Sequence, residues 1–533
     1  MKTIQNLILT LTIAATVGCT NGNDSIMDLH NDTFWYAENG EPILSQGGGI
    51  FRFTDPQDGH EKYFWYGVRY AEATQYMTSP KRYPRCTFEG VSLYTSENLS
   101  SWHKEPDVMT PQQTHSEGHN PHWLGRMGVA YIAEAKKFVL LIQEDASVLI
   151  ATADSPRGPF VRYRNIDMTS RIGTPNTGAQ TVFVDKDGRA YLVYSYGRGR
   201  NRGYISEIGI ESETDSIGLK NCVEVFHGAS REGNCMFRYE DKYYLFASNI
   251  YGWDGSLAYY LVSDSIYGPY TPTNNMEIMQ GCEQDYAHIS QTGFFFNVVG
   301  KEQETVVFCG DRWADFADNG LGYNQWTPIT MDDDQMPLFN SLSHWKLDSK
   351  TGLWTVGDDN NYILNGSFEA DRRIIPLAVK PRQEHILGWE TKIISGTPVG
   401  VEVINSPKLN CFNSEADHKY VVGKMSMNIS DTTDFSRTIS QHIGRRGVVD
   451  FPCGKYTLTA KVLCSEGFEQ MSMNIKSGDN ESTVNIEPTE GEWEIISTKI
   501  DVSNNSADVF FVAKGKGGAT CRIDDVSLTI CKE

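Results

Sequence analysis

Short hydrophobic segments rich in aromatic and β-branched residues recur along the first two thirds of the chain. Each follows a turn-like polar stretch and is followed by a second apolar segment and a polar loop. Five of them stand at intervals of about 50 to 75 residues, with almost no helical periodicity between them. They are KYFWY at 62–66, KFVLLI at 137–142, RAYLVY at 189–194, KYYLFA at 242–247 and TVVFC at 305–309. The pattern predicts an all-β protein in which residues 34–355 form a five-bladed β-propeller.

A second repeat supports this prediction: SPRGPF at 155–160 is echoed by SIYGPY at 265–270. A large β-sandwich and a β-helix are the competing architectures. A β-helix would require a much shorter period, and a sandwich gives no reason for the repeat.

The character of the sequence changes near residue 355, after which a second unit covers 362–533. It opens with NGSFE at 365–369, contains a Gly-Trp pair at 388–389 and closes with IDDVSL at 523–528. These features resemble the jelly-roll carbohydrate-binding modules, which have a galactose-binding-like β-sandwich fold. The resemblance implies a structural calcium ion near the opening acidic residue and the closing aspartate, with Glu369 and Asp525 as ligands; an ordinary surface or capping carboxylate is the alternative.

The N-terminus reads as an export signal at 1–19, followed by a linker at 20–33. Lys2 precedes an apolar run at 8–15 that is too short to span a bilayer of about 30 Å. The sequence TVGC at 16–19 resembles a bacterial lipobox, which implies that Cys19 is lipidated and becomes the new N-terminus. We expect an exported protein anchored by lipid to the outer membrane; a plain secretory signal is the alternative.

Charge and composition restrict the partners. The 47 basic and 68 acidic residues give a formal net charge of −21, which argues against nucleic acid, because phosphate binding needs a basic surface. Aromatic residues make up 11% of the chain, enough for a packed core and for platforms that stack on sugars. None of the 11 cysteines forms a CxxC pair or a Cys/His cluster, which argues against a zinc site.

One acidic residue stands out as a candidate for chemistry. Hydrolysis of a glycosidic bond needs a carboxylic acid that protonates the leaving oxygen and a partner that activates water or attacks the sugar. Glu232 stands immediately before the predicted fourth-blade strands, in REGNCMFRY at 231–239, with few like charges around it. Burial there would raise its pKa, as a general acid requires. A structural ion pair with Arg231 or Arg238 is the alternative.

Several motifs in the correct order resemble glycoside hydrolase family 43, and within it the branch of exo-β-1,3-galactanases. They are GGGI at 47–50, YFWYG at 63–67, EGNCM at 232–236, SQTGF at 290–294, GDRW at 310–313 and QWTPI at 325–329. The resemblance implies an inverting exo-hydrolase with Glu232 as general acid and Gln291 in place of the missing base. A neutral amide is a poor base, so Gln291 as a substrate hydrogen-bonder and Asp285 acting through water remain open.

Two departures from the family pattern put activity or specificity in doubt. The second-blade glutamate of the galactanase branch is absent from LGRMGV at 124–129. The third-blade aspartate of the family is replaced within TGAQT at 177–181. Glu117 or Gln180 is expected to compensate. Glu117 lies in a cluster with His115, His119 and His122, which we interpret as a polar loop in preference to a metal site.

Further residues are expected to bind the sugar. Arg312 can donate hydrogen bonds to hydroxyl groups, and the tryptophans can stack on a sugar face, whereas a structural pair and a core position are the alternatives. Gln46 beside the glycines can reach the ligand, because glycine permits close backbone approach, or it can cap a turn. The predicted substrate-binding residues are Gln46, Gln180, Trp253, Asp285, Asp311, Arg312, Trp313 and Trp326.

The sequence therefore predicts an exo-acting enzyme that releases galactose from β-1,3-galactan of the arabinogalactan type. An α-L-arabinofuranosidase or β-xylosidase is the closest alternative, and a non-catalytic glycan-binding lipoprotein is an alternative of another class. We expect a monomer that acts on a neutral plant polysaccharide and needs no cofactor for catalysis.

Overall fold

The computed structural model describes residues 25–78, 87–114, 124–144, 147–252, 254–313, 322–371, 385–400 and 408–531. Strand β1 (Ile26–His30) comes first and pairs with strands from much later in the chain. Within the described ranges no helix is long and apolar enough to cross a membrane. The protein is all-β, as predicted.

Five consecutive antiparallel sheets follow β1, and neighbouring strands in them are also neighbours in the chain, except that the fifth strand of the third sheet pairs with the third strand of that sheet. The first sheet contains β2 (Gln46–Thr54), β3 (Glu61–Tyr70), β4 (Phe88–Ser96) and β5 (His103–Lys104). The second contains β6 (Leu124–Ile132), β7 (Lys137–Glu144), β8 (Ser147–Ala153) and β9 (Val161–Ile166). The third contains β10 (Thr177–Val184), β11 (Ala190–Tyr196), β12 (Arg202–Glu211), β13 (Ser216–Leu219) and β14 (Val223–His227).

The fourth sheet contains β15 (Glu232–Tyr239), β16 (Lys242–Ser248), β17 (Ala258–Ser263) and β18 (Glu277–Ile278). The fifth contains β19 (Gln291–Val299), β20 (Glu304–Trp313), β21 (Gly322–Met331) and β22 (Pro337–Phe339). The described part of the chain also contains four short helices: α1 (Ala73–Thr78), α2 (Pro111–Thr114), α3 (Thr169–Ile172) and α4 (Tyr286–Ile289). Each of the five repeated segments of the sequence falls on the second strand of a sheet: β3, β7, β11, β16 and β20.

The sheets pack face to face in chain order. Separate apolar clusters lie between the first and second sheets, the second and third, the third and fourth, and the fourth and fifth. A further cluster joins the fifth sheet to the first, and β19 contacts β2 as each earlier first strand contacts the next. Because both faces of most second strands are covered, these strands carry nearly continuous apolar runs, which explains why the sequence pattern identified them.

All five first strands have a register irregularity near their beginning. The shifts occur at Gln46/Gly49, Gly125/Met127, Thr177/Gln180, Glu232/Cys235 and Thr292/Phe294. A bulge bends a strand and redirects the side chains beside it. Polar side chains therefore lie near the start of each first strand, where the first strands approach one another.

The segment 20–33, predicted to be a linker, contains strand β1, so that part of the prediction is wrong. Met27 and Leu29 are buried while Asp28 and His30 are exposed, which is the alternation of a half-buried strand. Strand β1 pairs with β23 (His344–Asp348), which pairs with β24 (Trp354–Val356). This small sheet thus joins the chain segment before the predicted propeller to the segment at its end.

The C-terminal unit is a sandwich of two five-stranded antiparallel sheets. One has the order β25 (Glu390–Ser395), β28 (Phe435–Ile443), β33 (Ala507–Gly515), β30 (Phe468–Ser477) and β31 (Asn480–Asn485). The other has the order β26 (Asn410–Phe412), β27 (Met425–Ser430), β34 (Thr520–Ile530), β29 (Gly454–Cys464) and β32 (Glu494–Val502). Short 3-10 turns lie at Glu369–Asp371 and Asp417–Lys419. The apolar cluster of this sandwich is continuous with the one between the fifth and first sheets.

Trp326, predicted to line the sugar site, is instead part of the core, and that prediction is wrong. Its side chain is 1% exposed and packs on the rings of Trp35 and Trp65, with centroid distances of 4.9 and 4.8 Å. Its backbone pairs with the Asn31 side chain, which accepts from Trp326 N at 2.9 Å and donates to Trp326 O at 2.8 Å. Trp326 fails as a sugar platform because it faces the first sheet across the interface.

We expect Trp326→Ala to lower the free energy of unfolding by about 3–5 kcal/mol, the range for loss of a large buried aromatic side chain. Trp326→Phe is the matched control and should cost less. Phenylalanine keeps an aromatic ring at this position, and the indole Nε1 that the substitution removes has no hydrogen-bond partner among the described atoms. Urea unfolding measures both variants. A Trp326→Ala protein of unchanged stability that had lost only glycan affinity would contradict the core assignment.

Candidate active site

Glu232 lies at the first position of β15, where the bulge turns its side chain toward the other first strands. It is 7% exposed. Gly233 follows with φ +62°, and a Cβ at this position would come within 2.5 Å of Thr292 Oγ1. Glycine is therefore required for the close approach of β15 to β19 that brings Glu232 beside Gln291.

A chain of hydrogen bonds leads away from Glu232. Gln291 Nε2 donates to Glu232 Oε1 at 2.8 Å, and Gln291 Oε1 accepts from Arg126 Nη2 at 2.8 Å. Arg126 Nη1 lies 3.4 Å from Asp311 Oδ2, and Asp311 Oδ1 accepts from Gly47 N at 3.2 Å. The five residues come from β15, β19, β6, β20 and β2, so three sheets besides the fourth contribute to the surroundings of one carboxyl group.

The charge on Glu232 is set by opposing effects. Burial raises the pKa of Glu232, and Arg200, Arg126 and the hydrogen bond from Gln291 offset part of that rise. Arg200 donates to Glu232 Oε2 from the loop between β11 and β12. Burial likewise raises the pKa of Asp311, against the effect of Arg126. The site thus holds two buried carboxyl groups that are easier to protonate than usual.

The structural ion pairs expected as the alternative role of Glu232 are not formed. Arg231 donates to Asn249 Oδ1 and lies over the Tyr259 ring, 3.9 Å from its centroid. Arg238 binds Asp185 at 3.0 Å. The guanidinium that does pair with Glu232 belongs to Arg200, on a loop.

Two further predicted residues lie at equivalent bulged positions. Gln46 begins β2, and Gln180 follows the bulge of β10; both are buried. Gln180 Oε1 accepts from Thr177 Oγ1 at 2.8 Å. Among the described atoms, Gln180 Nε2 and Gln46 Oε1 have no hydrogen-bond partner. Unpaired buried amide groups are costly, and sugar hydroxyls could satisfy them.

Asp285 and Arg312 line a cavity of about 370 Å³ between the fifth sheet and the sandwich. Asp285 caps α4 by accepting from His288 N at 3.1 Å, and it also binds Ser341. Arg312 binds Asp32, to which His288 Nε2 is joined at 2.9 Å. The lining of this cavity includes neither Glu232 nor Gln291, as far as the described residues show. The role of Asp285 as a base that acts through water therefore stays a prediction.

Helix α4 is a left-handed turn. Tyr286, Ala287, His288 and Ile289 have φ between 51 and 56°. Such a conformation costs L-residues roughly 1–2 kcal/mol each. Tyr286 and Ile289 pack with Tyr251 and with Ala370 of the sandwich unit, which offsets the strain. This turn ends two residues before Gln291.

Other predictions fall outside the described residues. These are Cys19, Glu117 with its three histidines, and Trp253. The backbone of Trp313 ends β20, and its side chain is outside the described part.

In the sandwich, the acidic pair is Glu369 with Asp524, and the predicted Asp525 is displaced from it. Glu369 and Asp524 are both fully buried, and Glu369 Oε1 accepts from Met425 N at 2.7 Å. Burial raises the pKa of Asp524 well above its usual value, and the charges of Asp525 and Glu369 add to the rise. Asp525 pairs with Lys461 at 2.7 Å and lines the cavity between the units. Asp525 has φ +48°, so the strand is irregular at this point, and the carboxylate of Asp525 is directed to Lys461.

Sequence reasoning did not single out Arg126 and Arg200, which lie near Glu232. It also did not single out Asp32 and His288, which line the cavity beside the sandwich. Arg126 gave a signal, since it stands in the segment where the family carries a carboxylate. Arg200 and Asp32 gave none, because Arg200 reaches Glu232, and Asp32 reaches Arg312 in the cavity beside the sandwich, from irregular segments that only folding brings there.

Comparisons with known proteins agree with this architecture. The family model "Glycosyl hydrolases family 43" matches residues 67–331. Similar solved structures include an exo-β-1,3-galactanase variant from Phanerochaete chrysosporium with β-1,3-galactotriose, at 17% identity and a TM-score of 0.53, covering 94% of this chain and 100% of that one. Another is an exo-β-1,3-galactanase from Clostridium thermocellum, at 18% identity and a TM-score of 0.52, covering 89% and 100%. At such identities the likeness shows a common fold. None of the curated proteins matches the chain.

The interaction of His288 with Asp32 should make stability depend on pH. Burial alone would lower the pKa of His288, but Asp32 and Asp285 raise it above its usual value of 6.5. The stabilisation is therefore complete below about pH 6.5 and is lost as the pH rises through the folded-state pKa. We expect His288→Gln to reduce the free energy of unfolding more at about pH 5.5 than at about pH 9. His442→Gln, at an exposed histidine paired with Asp508, is the control. Equal losses at both pH values would contradict the prediction.

Proposed function

Since residues 67–331 belong to glycosyl hydrolases family 43, we propose that this glycoside hydrolase releases galactose from the non-reducing end of β-1,3-galactan chains with inversion. We also propose that its five sheets are the blades of a five-bladed β-propeller. The support for the propeller is that each sheet packs on the next and the fifth packs on the first.

The observation that carries the enzymatic proposal is the environment of Glu232. A general acid must hold a proton near neutral pH and present it to the leaving oxygen. Burial raises the pKa of Glu232, and the bulge of β15 turns the side chain toward the site where the first strands meet. In the proposed reaction, Glu232 protonates the glycosidic oxygen while water attacks the anomeric carbon from the opposite face.

The remaining polar groups suit recognition of a neutral sugar. The amides of Gln46 and Gln180 have unused hydrogen-bonding capacity, and uncharged hydroxyl groups match it. The two solved structures compared above are exo-β-1,3-galactanases, one of them with β-1,3-galactotriose. This agreement favours β-1,3-galactan over the arabinofuranoside and β-xyloside alternatives.

One observation favours a different function, that of a non-catalytic glycan-binding protein. Arg200 pairs with Glu232, and a guanidinium in contact with a carboxylate stabilises its ionised form. A carboxylate that stayed ionised could bind hydroxyl groups but could not act as an acid. In the enzymatic proposal, substrate must displace Arg200, whose side chain is 37% exposed.

We expect the protein to act outside the cell, held by a lipid on Cys19, and we propose a structural calcium ion in the sandwich unit. Buried carboxylates that face each other are suitable oxygen ligands for Ca²⁺. Glu369 and Asp524 meet that requirement, whereas Asp525 is occupied by Lys461.

Glu232→Gln should reduce kcat for β-1,3-galactobiose by at least about 100-fold, because the amide has no proton to give, while the binding of oligosaccharide persists. Glu277→Gln on the exposed strand β18 is the matched control. In the wild type, kcat/KM should fall as the pH rises through the raised pKa of Glu232. Products from β-1,3-galactan, arabinogalactan, pectin and aryl arabinofuranoside would be identified. Glycan binding without release of sugar from any of them would refute the enzymatic proposal.

Calcium should raise the melting temperature of the chelator-treated protein. Glu369→Gln and Asp524→Asn should abolish that rise, and Asp525→Asn should keep it. Differential scanning calorimetry with and without Ca²⁺ makes the measurement. A rise that persists in both variants, or its absence in the wild type, would exclude this ion site.

A further inference from the structure

Arg126 is a buried cation that joins Gln291, the partner of Glu232, to Asp311. It is the third residue of β6, lies in the bulge at Gly125/Met127 and is 4% exposed. Gly47 gives it room: a Cβ there would lie 3.3 Å from Arg126 N and 3.6 Å from Arg126 Cγ. The bulges of β2 and β6 thus fit around one guanidinium group.

An arginine side chain fixes the direction of any hydrogen bond it makes, because it carries donors and no acceptor. The atom of Gln291 that faces Arg126 at 2.8 Å must therefore be the amide oxygen. The amide nitrogen then faces Glu232 and must donate to Glu232 Oε1. A carboxylate at position 126 would reverse the order, since it could only accept from the amide nitrogen.

We propose that Arg126 is a positioning residue that holds Gln291 as an amide with its N–H directed at Glu232 Oε1, so that the catalytic proton of Glu232 is carried by Oε2. The imidic-acid tautomer of Gln291, in which Oε1 carries a hydroxyl group, is disfavoured in this arrangement, because a hydroxyl oxygen accepts from the Arg126 N–H less strongly than an amide carbonyl oxygen does. Gln291 accordingly supports the acid and is not the base. This assignment rests on the proposed role of Glu232 as general acid.

Two more charged groups, Arg200 and Asp311, lie near Glu232 and Arg126. Arg200 reaches Oε2 from the loop between β11 and β12, and Asp311 lies behind Arg126. Arg200 favours the ionised form of Glu232, so Oε2 is protonated more readily once Arg200 has moved away. When the proton passes from Oε2 to the glycosidic oxygen, the bond between that oxygen and the anomeric carbon breaks. Water adds to the anomeric carbon as hydroxyl and releases its second proton to solvent, from which Glu232 is later reprotonated. The new carboxylate keeps the N–H of Gln291 on Oε1.

The titration of Glu232 tests the proposal without requiring turnover. Carboxyl ¹³C resonances of labelled glutamate are followed against pH, and the signal missing from Glu232→Gln identifies the residue. Arg126→Met removes the donor, so Gln291 can turn its oxygen toward Glu232 and stabilise the protonated form. We expect the midpoint to rise by about one pH unit or more. Arg126→Lys keeps a charged donor and should restore a midpoint near that of the wild type.

A double-mutant cycle separates the role of hydrogen-bond direction from that of charge. In a Gln291→Leu background, Arg126→Met can act only through the lost charge, so its effect should be clearly smaller. Arg189→Met, at an exposed arginine paired with Asp187, is the matched control and should leave Glu232 unchanged. Because Arg126→Met leaves Asp311 buried without its cation, Arg126→Met/Asp311→Asn is compared with Asp311→Asn as well.

Equal shifts in the two backgrounds, or no shift with Arg126→Met, would overturn the proposal. If the enzyme is active, the alkaline limb of kcat/KM should move with the titration, and Arg126→Met should lower kcat with little change in KM. If the wild type releases no sugar, the function proposed above fails, while the titration still decides the direction of the hydrogen bonds.

Discussion

A buried carboxyl group needs donors around it, and the surroundings of Glu232 are arranged to supply them. Gln291 and Arg200 donate to Glu232, and Arg126 donates to Gln291. These three residues belong to three different sheets, and each lies at or near the end of a strand. Burial raises the pKa of the group, whereas the donors limit the rise. The balance leaves a carboxyl that can hold a proton and can also release it, which is the property on which the proposed chemistry depends.

The bulges make this arrangement possible. A regular strand would alternate its side chains between the two faces of its own sheet, where neighbouring sheets pack. The extra residue at the start of each first strand redirects one polar side chain out of that packing. Gly47 and Gly233 allow the close approaches that follow, since a Cβ at either position would crowd Arg126 or Thr292.

The sandwich unit contributes to the same region. It packs on the left-handed turn of Tyr286–Ile289, whose strain requires support from neighbouring contacts. Asp32, from the segment after β1, ties His288 and Arg312 together beside it. Residues from the N-terminus, the fifth sheet and the sandwich thus hold the turn that precedes Gln291, and that turn is part of the domain contact.

The sequence by itself determined the all-β class, the five second strands and the second unit, because these depend on local apolar runs and on motifs that are contiguous in the chain. It also singled out Glu232, whose catalytic role stays a prediction. Strand β1 was missed, although Met27 and Leu29 alternate with polar residues, because one short alternating segment is a weak signal. The tertiary structure alone decided that Trp326 is core, that Asp524 is buried near Glu369 while Asp525 pairs with Lys461, and that Asp285 caps α4 and lines the cavity beside the sandwich. It also brought Arg126 and Arg200 to the acid. These outcomes depend on which face of a strand meets which neighbour, and a shift of one residue at a bulge reverses that face without leaving a mark on composition or periodicity.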